Sequence, residues 1–309
     1  MTDTAPRIGW IGIGKMGRPM SRRVLKAGMK LTVYEPLVQN RASVVAEGAT
    51  VATSIADLSD ASDIIALTIP NDRVLESIVF GPEGLIATMR PGQILIEMST
   101  VSPTISGRIA AALAGRSVSY LRAPVSGSTT TAASGQLSVV VSGPAAAFEI
   151  ARPIFECFSV RQFHVGLAEE ARYLKLVLNA LVGATSALLG EALTLGRKGG
   201  LDMKTMLDVI GQSAVASPLI AYKRDLLISR DFDPAFSVEQ MMKDFDLILD
   251  AGRQDHVPMS LISLIRQQYE VAYTNGLADQ DFFVLIEQCE RLAGLGGEED
   301  TANDDARIA

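Results

Sequence analysis

The sequence predicts a chain in two parts: an α/β part built on a parallel sheet, then an all-α part, the two joined by one long helix. Three observations predict it. Short apolar runs alternate with helical patterns as far as about residue 166, as βαβ units do. Beyond that point strand signals vanish, and a 3.6-residue apolar period carries on to Leu292. At the change of character stands YLKLVLNALVGATSALLGEALTLG (173–196), an apolar stretch with the length of a long helix. At 309 residues the chain is also longer than one ordinary core supports. The expected division is residues 1–165 for the first domain and 166–296 for the second. The long helix should run from about 168 to 197, with a disordered acidic tail over 297–309.

Each element has its own signal. RIGWIGI (7–13) opens the chain as a buried strand, and residues 15–28 follow as a helix closed by Gly28. LTVYE (31–35) is a second strand before a turn through Pro36. DIIALTIP (63–70) is a third, stopped by Pro70, and QILIEMST (93–100) is a fourth, introduced by Pro91-Gly92. SYLRAPVSG (119–127) and QLSVVVSG (136–143) add strands to the same sheet. Helical segments separate the earlier strands near 40–47, 54–60, 71–79 and 103–114. In the second part, breaks are expected at Gly199-Gly200, Ser217-Pro218, Asp233-Pro234, Val257-Pro258 and Asn275-Gly276.

Composition narrows the function classes. A net charge of −7 without any basic run leaves no footprint for nucleic acid. Past Gly297, five acids face Arg307 alone, so most of that charge belongs to the tail. Two histidines cannot supply a histidine-rich metal site, and no metal is expected. Cys157 and Cys289 match no metal or redox spacing and read as packing residues. The run from Leu176 to Leu195 has the length of a membrane span. It nevertheless carries Asn179, Thr185, Ser186 and Glu191, which suit a helix buried in protein better. The first residues lack the basic and apolar regions of a signal peptide, which makes a cytoplasmic location the expectation.

Gly12-Ile13-Gly14-Lys15-Met16-Gly17 follows a strand and opens a helix, the context that a dinucleotide fingerprint requires. The first glycine permits the tight turn, the second lets backbone approach a pyrophosphate, and the third lets helix pack on strand. Lys15 and Met16 complete the loop, and the helix N-terminus beyond it favours an anion. The second strand ends in Glu35, at the offset where a carboxylate accepts the ribose 2′-OH and repels a 2′-phosphate. NAD is therefore favoured. NADP stays possible, with Arg41 as a residue that could answer a phosphate.

Lys175 and Asn179 stand four residues apart in an apolar helix and so share one face. An unpaired ammonium in such a setting is costly, which argues for a use. With a dinucleotide nearby in the chain, the pair reads as a proton donor and its orienting partner.

Taken together, five stretches resemble the β-hydroxyacid dehydrogenases, the family of 3-hydroxyisobutyrate dehydrogenase and tartronate semialdehyde reductase. They are GWIGIGKMGRPM (9–20), MSTVSP (98–103), APVSGS (123–128), KLVLN (175–179) and KDFDLILDAG (243–252). The resemblance implies a Rossmann domain, a long interdomain helix and an all-α C-terminal domain. It implies catalysis by Lys175 as general acid/base and substrate contact by Asn179. It places Thr100 and Lys243 on the nicotinamide side of the cofactor, has Ile69, Pro70 and Val74 contact the cofactor, and makes Ser126-Gly127-Ser128 the loop for the substrate carboxylate. The expected activity is NAD(P)-dependent interconversion of a small β-hydroxyacid and its semialdehyde or keto form. The expected assembly is a homodimer or homotetramer, since the long apolar helix needs cover.

The chain departs from the family at four places. Arg122 stands where an acid is usual, Ser128 replaces a glycine, Glu169 and Ala171 replace two glycines, and Leu178-Asn179 keeps only the second of two asparagines. Two readings of Arg122 follow: a contact with a second negative group on the substrate, or an ion pair with an acid such as Glu169. Three other functions compete with the dehydrogenase, one of them that of the 6-phosphogluconate dehydrogenases, which have a histidine where this chain has Leu178 and need several basic residues for a phosphate. Imine reductases share the architecture but usually lack the lysine, and a non-catalytic Rossmann module would have no need of it.

Overall fold

The computed structural model describes residues 6–295, and the expected acidic tail lies outside them. Two units part between Lys175 and Leu176, within one long helix.

In the first unit the elements run β1 (Ile8–Ile11), α1 (Gly17–Lys26), β2 (Leu31–Tyr34), α2 (Val38–Ala46), β3 (Thr50–Val51), α3 (Ile55–Asp60), β4 (Ile64–Leu67), α4 (Asp72–Phe80), α5 (Leu85–Thr88), β5 (Ile94–Glu97), α6 (Pro103–Leu113), β6 (Ser119–Arg122), β7 (Val125–Ser126), α7 (Thr129–Ser134), β8 (Leu137–Ser142), α8 (Ala145–Glu156) and β9 (Ser159–Gly166). The first turns of α9 (Glu170–Lys198) complete it.

Strand order is β3-β2-β1-β4-β5-β6-β8-β7, with β9 paired to β8. From β3 to β6 every pairing is parallel. The expectation of one parallel sheet fails beyond β6, because β8 runs antiparallel to both β6 and β7. The segment 119–127, read as a single strand, is two, interrupted at Ala123-Pro124. A proline has no N–H to extend a ladder.

Every residue of β1, β4 and β5 is buried, which explains their unbroken apolar runs. Alternate residues serve opposite faces. Ile64, Ala66, Ile94 and Ile96 join Met20, Val24 and Phe155 in one core. Ile65, Leu67 and Leu95 join Leu75, Ile105 and Ile109 in the other. The order reverses between β1 and β4. The loops after those two strands therefore meet at the switch point, where doubly wound sheets take their ligands.

The second unit holds the rest of α9, then α10 (Met203–Gly211), α11 (Pro218–Ser229), α12 (Val238–Gln254), α13 (Ser260–Ala272) and α14 (Leu285–Leu292). Its core gathers Leu189, Leu193, Met241, Phe245, Tyr269 and Phe283. The helix starts are capped: Asp202, Ser217 and Ser237 each accept a backbone N–H, and Ser237 forms a reciprocal box with Gln240. After α13 the chain passes through a π-turn over Tyr273–Leu277, where Gly276 takes a positive φ of 81°. By length and composition α9 could cross a membrane, but it packs Ala187, Leu189 and Leu193 into this core.

Candidate active site

The glycine loop connects β1 to α1 and has the shape that its spacing predicts. Gly12 adopts φ +91°, and a Cβ there would overlap the carbonyl of Thr68. At Gly17 a Cβ would overlap the Gly12 carbonyl, whereas at Gly14 it would meet open space. One glycine makes the turn, one packs helix on strand, and one leaves room above the loop. No side chain caps α1 and no acid sits in its first turn, so its N-terminus stays open to an anion. These residues fit a dinucleotide pyrophosphate.

Thr68, just after β4, braces the loop. Its hydroxyl donates to the Gly12 carbonyl at 2.5 Å and accepts the Trp10 indole N–H at 2.8 Å. Glu35 is buried at 7% exposure. Its carboxylate accepts the Ile13 N–H at 2.9 Å and the Leu37 N–H at 3.0 Å. Each oxygen keeps a second lone pair, so a ribose hydroxyl can still be met. Arg41, the residue that could answer a phosphate, donates to the Glu35 carbonyl at 2.8 Å.

The loops after β4 and β5 are tied together. Ile69 N–H donates to Ser99 Oγ at 2.8 Å, and Ser102 N–H donates to Asp72 at 3.0 Å. Pro70 and Thr100 sit in these loops, and Val74 N–H is capped by Asn71.

Behind the loops lies a buried network that nothing in the sequence announced. Glu97, at the end of β5, is fully buried, and Arg172, in the first turn of α9, is 1% exposed. The two form an ion pair. Arg172 also donates to the Ser99 carbonyl at 2.8 Å, to Ser106 at 3.3 Å and to the Tyr120 hydroxyl at 3.3 Å. The second Glu97 oxygen accepts the Ser99 N–H at 2.7 Å. Burial among these groups pushes the Tyr120 phenol up from its ordinary value.

Arg122 is buried, pairs with Glu169 and lies over the Tyr120 ring at 4.5 Å. Of the two readings of Arg122, the geometry favours the internal ion pair over a contact with substrate. In the Ser126-Gly127-Ser128 loop, Ser128 uses its N–H and hydroxyl in a capping box with Thr131, at 2.7 and 3.3 Å. Gly127 takes φ +136°, with Leu137 and Thr131 packed where a Cβ would go.

Lys175 and Asn179 do lie four residues apart in α9. Lys175 is half-buried and Asn179 is buried. Asn179 Nδ2 donates to Asp244 Oδ2 at 2.5 Å, and Lys243 Nζ approaches Asp244 Oδ1 at 3.0 Å. Asp244 is 1% exposed. A Lys-Asp pair opening a helical face passes for a solvated one, and here its acid is a core residue. Cys157 and Cys289 are free and half-buried, and burial pushes both thiols up.

Comparison with known proteins points to one family. The family model described as the NAD-binding domain of 6-phosphogluconate dehydrogenase matches residues 7–166. The one described as NAD-binding of NADP-dependent 3-hydroxyisobutyrate dehydrogenase matches residues 170–289. The 2-(hydroxymethyl)glutarate dehydrogenase of Eubacterium barkeri is 34% identical, over 94% of this chain and 96% of its own. An NAD-dependent L-serine dehydrogenase of Pseudomonas aeruginosa is 33% identical, over 90% and 96%. Among solved structures, a Mycobacterium tuberculosis 3-hydroxyisobutyrate dehydrogenase with L-serine superposes at TM-score 0.84 and 26% identity, covering 92% of this chain and 99% of that one. The glycine loop, the two-part architecture and these matches together establish that the chain belongs to the β-hydroxyacid dehydrogenase family of NAD(P)-dependent oxidoreductases, whose namesake is 3-hydroxyisobutyrate dehydrogenase.

Proposed function

We propose that this chain interconverts a small β-hydroxyacid and its semialdehyde or keto form, with Lys175 as the general acid/base. The observation that carries the proposal is the Lys175/Asn179 pair on one helix, its amide oriented by a buried carboxylate. The nicotinamide supplies or accepts the hydride. In the reducing direction Lys175 Nζ gives a proton to the oxygen of the carbonyl as it becomes an alcohol; in the oxidising direction Nζ takes that proton back. Asp244 holds one amide hydrogen of Asn179. The other hydrogen and the carbonyl oxygen would orient the substrate hydroxyl. Gly12, Gly14, Lys15, Met16 and Gly17 would hold the pyrophosphate, and Glu35 the adenosine ribose, which favours NAD over NADP. Ile69, Pro70 and Val74 would flank the cofactor, with Thr100 and Lys243 beside the nicotinamide. Ser126 and Gly127 would meet the substrate carboxylate, with Ser128 fixing the loop.

The names of the relatives support the substrate class, since 2-(hydroxymethyl)glutarate, L-serine and L-threonate are all hydroxyacids. The test is reduced-cofactor formation from NAD or NADP with 3-hydroxyisobutyrate, glycerate, L-serine, L-threonate and 4-hydroxybutyrate. Lys175→Ala should lose about 10²- to 10⁴-fold in kcat on whichever acid turns over. Full activity in that variant would refute the role of Lys175.

We propose, too, that the chain is a homodimer or homotetramer. Leu181, Leu188 and Leu195 stand seven residues apart on α9, 64–76% exposed. Such a stripe suits a partner helix. Light scattering on Leu188→Glu should find a smaller particle than the wild type.

A further inference from the structure

We propose that Arg172 is a positioning residue that registers the cofactor loops against the turn of helix bearing Lys175. This rests on the role proposed for Lys175. Arg172 lies three residues before Lys175, so the two share one side of the first turns of α9. Its guanidinium is not a helix-end charge in water. It is 1% exposed and meets four separate pieces of the first unit: the Glu97 carboxylate at the end of β5, the Ser99 carbonyl in the loop beyond, Ser106 in α6 and Tyr120 in β6. Ser99 passes the constraint on, because its hydroxyl holds the Ile69 N–H in the loop after β4. One rigid fork therefore ties the backbone just before Thr100, and through Ser99 the loop carrying Ile69, to the start of the helix.

Two neighbouring contacts hold the same junction. Ser142 Oγ donates to the Ala168 carbonyl at 2.6 Å and accepts the Ala171 N–H at 3.3 Å. Arg122 holds Glu169, the residue just before the helix. Neither of them reaches Ser99. Arg172 alone among the three joins helix to cofactor loop. Proton and hydride transfer act on adjacent atoms, so an error of about 1 Å in one donor can lower the rate about 10²-fold.

Two readouts test this. The first needs no substrate: the Kd for NADH, from its fluorescence. Arg172→Gln, and Arg172→Gln combined with Glu97→Gln so that neither charge is left buried alone, should weaken NADH about three- to tenfold. Lys175→Ala should leave that Kd within about twofold. Arg172→Lys keeps the charge, loses the fork and should fall between. The second readout is kcat on the most active acid of the panel. Arg172→Gln should lose about 10²-fold in the wild-type background and little further in the Lys175→Ala background, since Arg172 acts through that lysine. An unchanged Kd in the folded double variant overturns the proposal, and so does a loss that simply multiplies that of Lys175→Ala. If wild type is inactive on every acid, or Lys175→Ala is fully active, the fault lies with the proposed chemistry. The Kd readout still decides the role of Arg172 in the loops.

Discussion

Asn179 donates its side-chain amide to the carboxylate of Asp244, a residue 65 positions later in the chain and almost fully buried. The contact selects one orientation of an amide that could otherwise turn end for end. It also gives Asp244 two partners, since Lys243 approaches the other oxygen.

That geometry predicts the effect of Asp244→Asn. The isosteric amide no longer enforces the direction of Asn179 and removes the negative charge that Lys243 approaches. Turnover should fall about 10- to 100-fold, the worth of a hydrogen bond to a charged group. Steady-state kinetics on the most active acid will show it. NADH affinity, measured beside it, should move less if the fault lies with Asn179.

The glycine loop predicts a contrast between two substitutions of the same size. Gly14→Ala adds a methyl to open space, so it should melt with the wild type while binding NADH more weakly. Gly17→Ala drives a methyl into the Gly12 carbonyl and should lower the melting temperature as well. Thermal melts and NADH titrations on both variants separate the two glycine roles.

Lys223 and Asp281 form a buried ion pair in the helical unit, with the ammonium about 5 Å from the rings of Tyr222, Phe282 and Phe283. Removing one partner strands the other charge. Asp281→Asn or Lys223→Met should each cost about 3–5 kcal/mol in urea unfolding, and the double variant should recover part of that loss.

Acid stability should carry a signature of Asp63. The Arg7 guanidinium holds its carboxyl below the ordinary value of 3.8. A depressed carboxyl contributes stability above its unfolded pKa and loses it as pH falls through the lower, folded one. The pair is half-exposed, so the effect should stay within about 1 kcal/mol. Unfolding curves of Arg7→Ala and wild type should therefore differ near neutrality and converge well below pH 4.

The central strands were legible because each is buried on both sides and reads as a solid apolar run. The breaks in the helical unit were legible because Gly, Pro and capping residues mark them locally. β9 was missed: SVRQFHVG is exposed over much of its length and carries no apolar alternation. Asp244 and Arg172 were missed for a different reason. Beside Lys243, and within EEARYL, each looks like a charge on a wet helix. What buries them arrives from 65 and 75 residues away. Local pattern reports how a segment folds upon itself, whereas a buried charge is decided by a distant partner.

Glu35 closes the glycine loop through Ile13 and the following turn through Leu37. Any sequence drift that swaps this acid for a residue friendlier to a 2′-phosphate would also untie both backbone groups. Under the role proposed for Glu35, a change of cofactor preference is thus not one step away for this chain. It needs a second substitution to re-anchor the loop, which makes the identity of residue 35 slow to evolve.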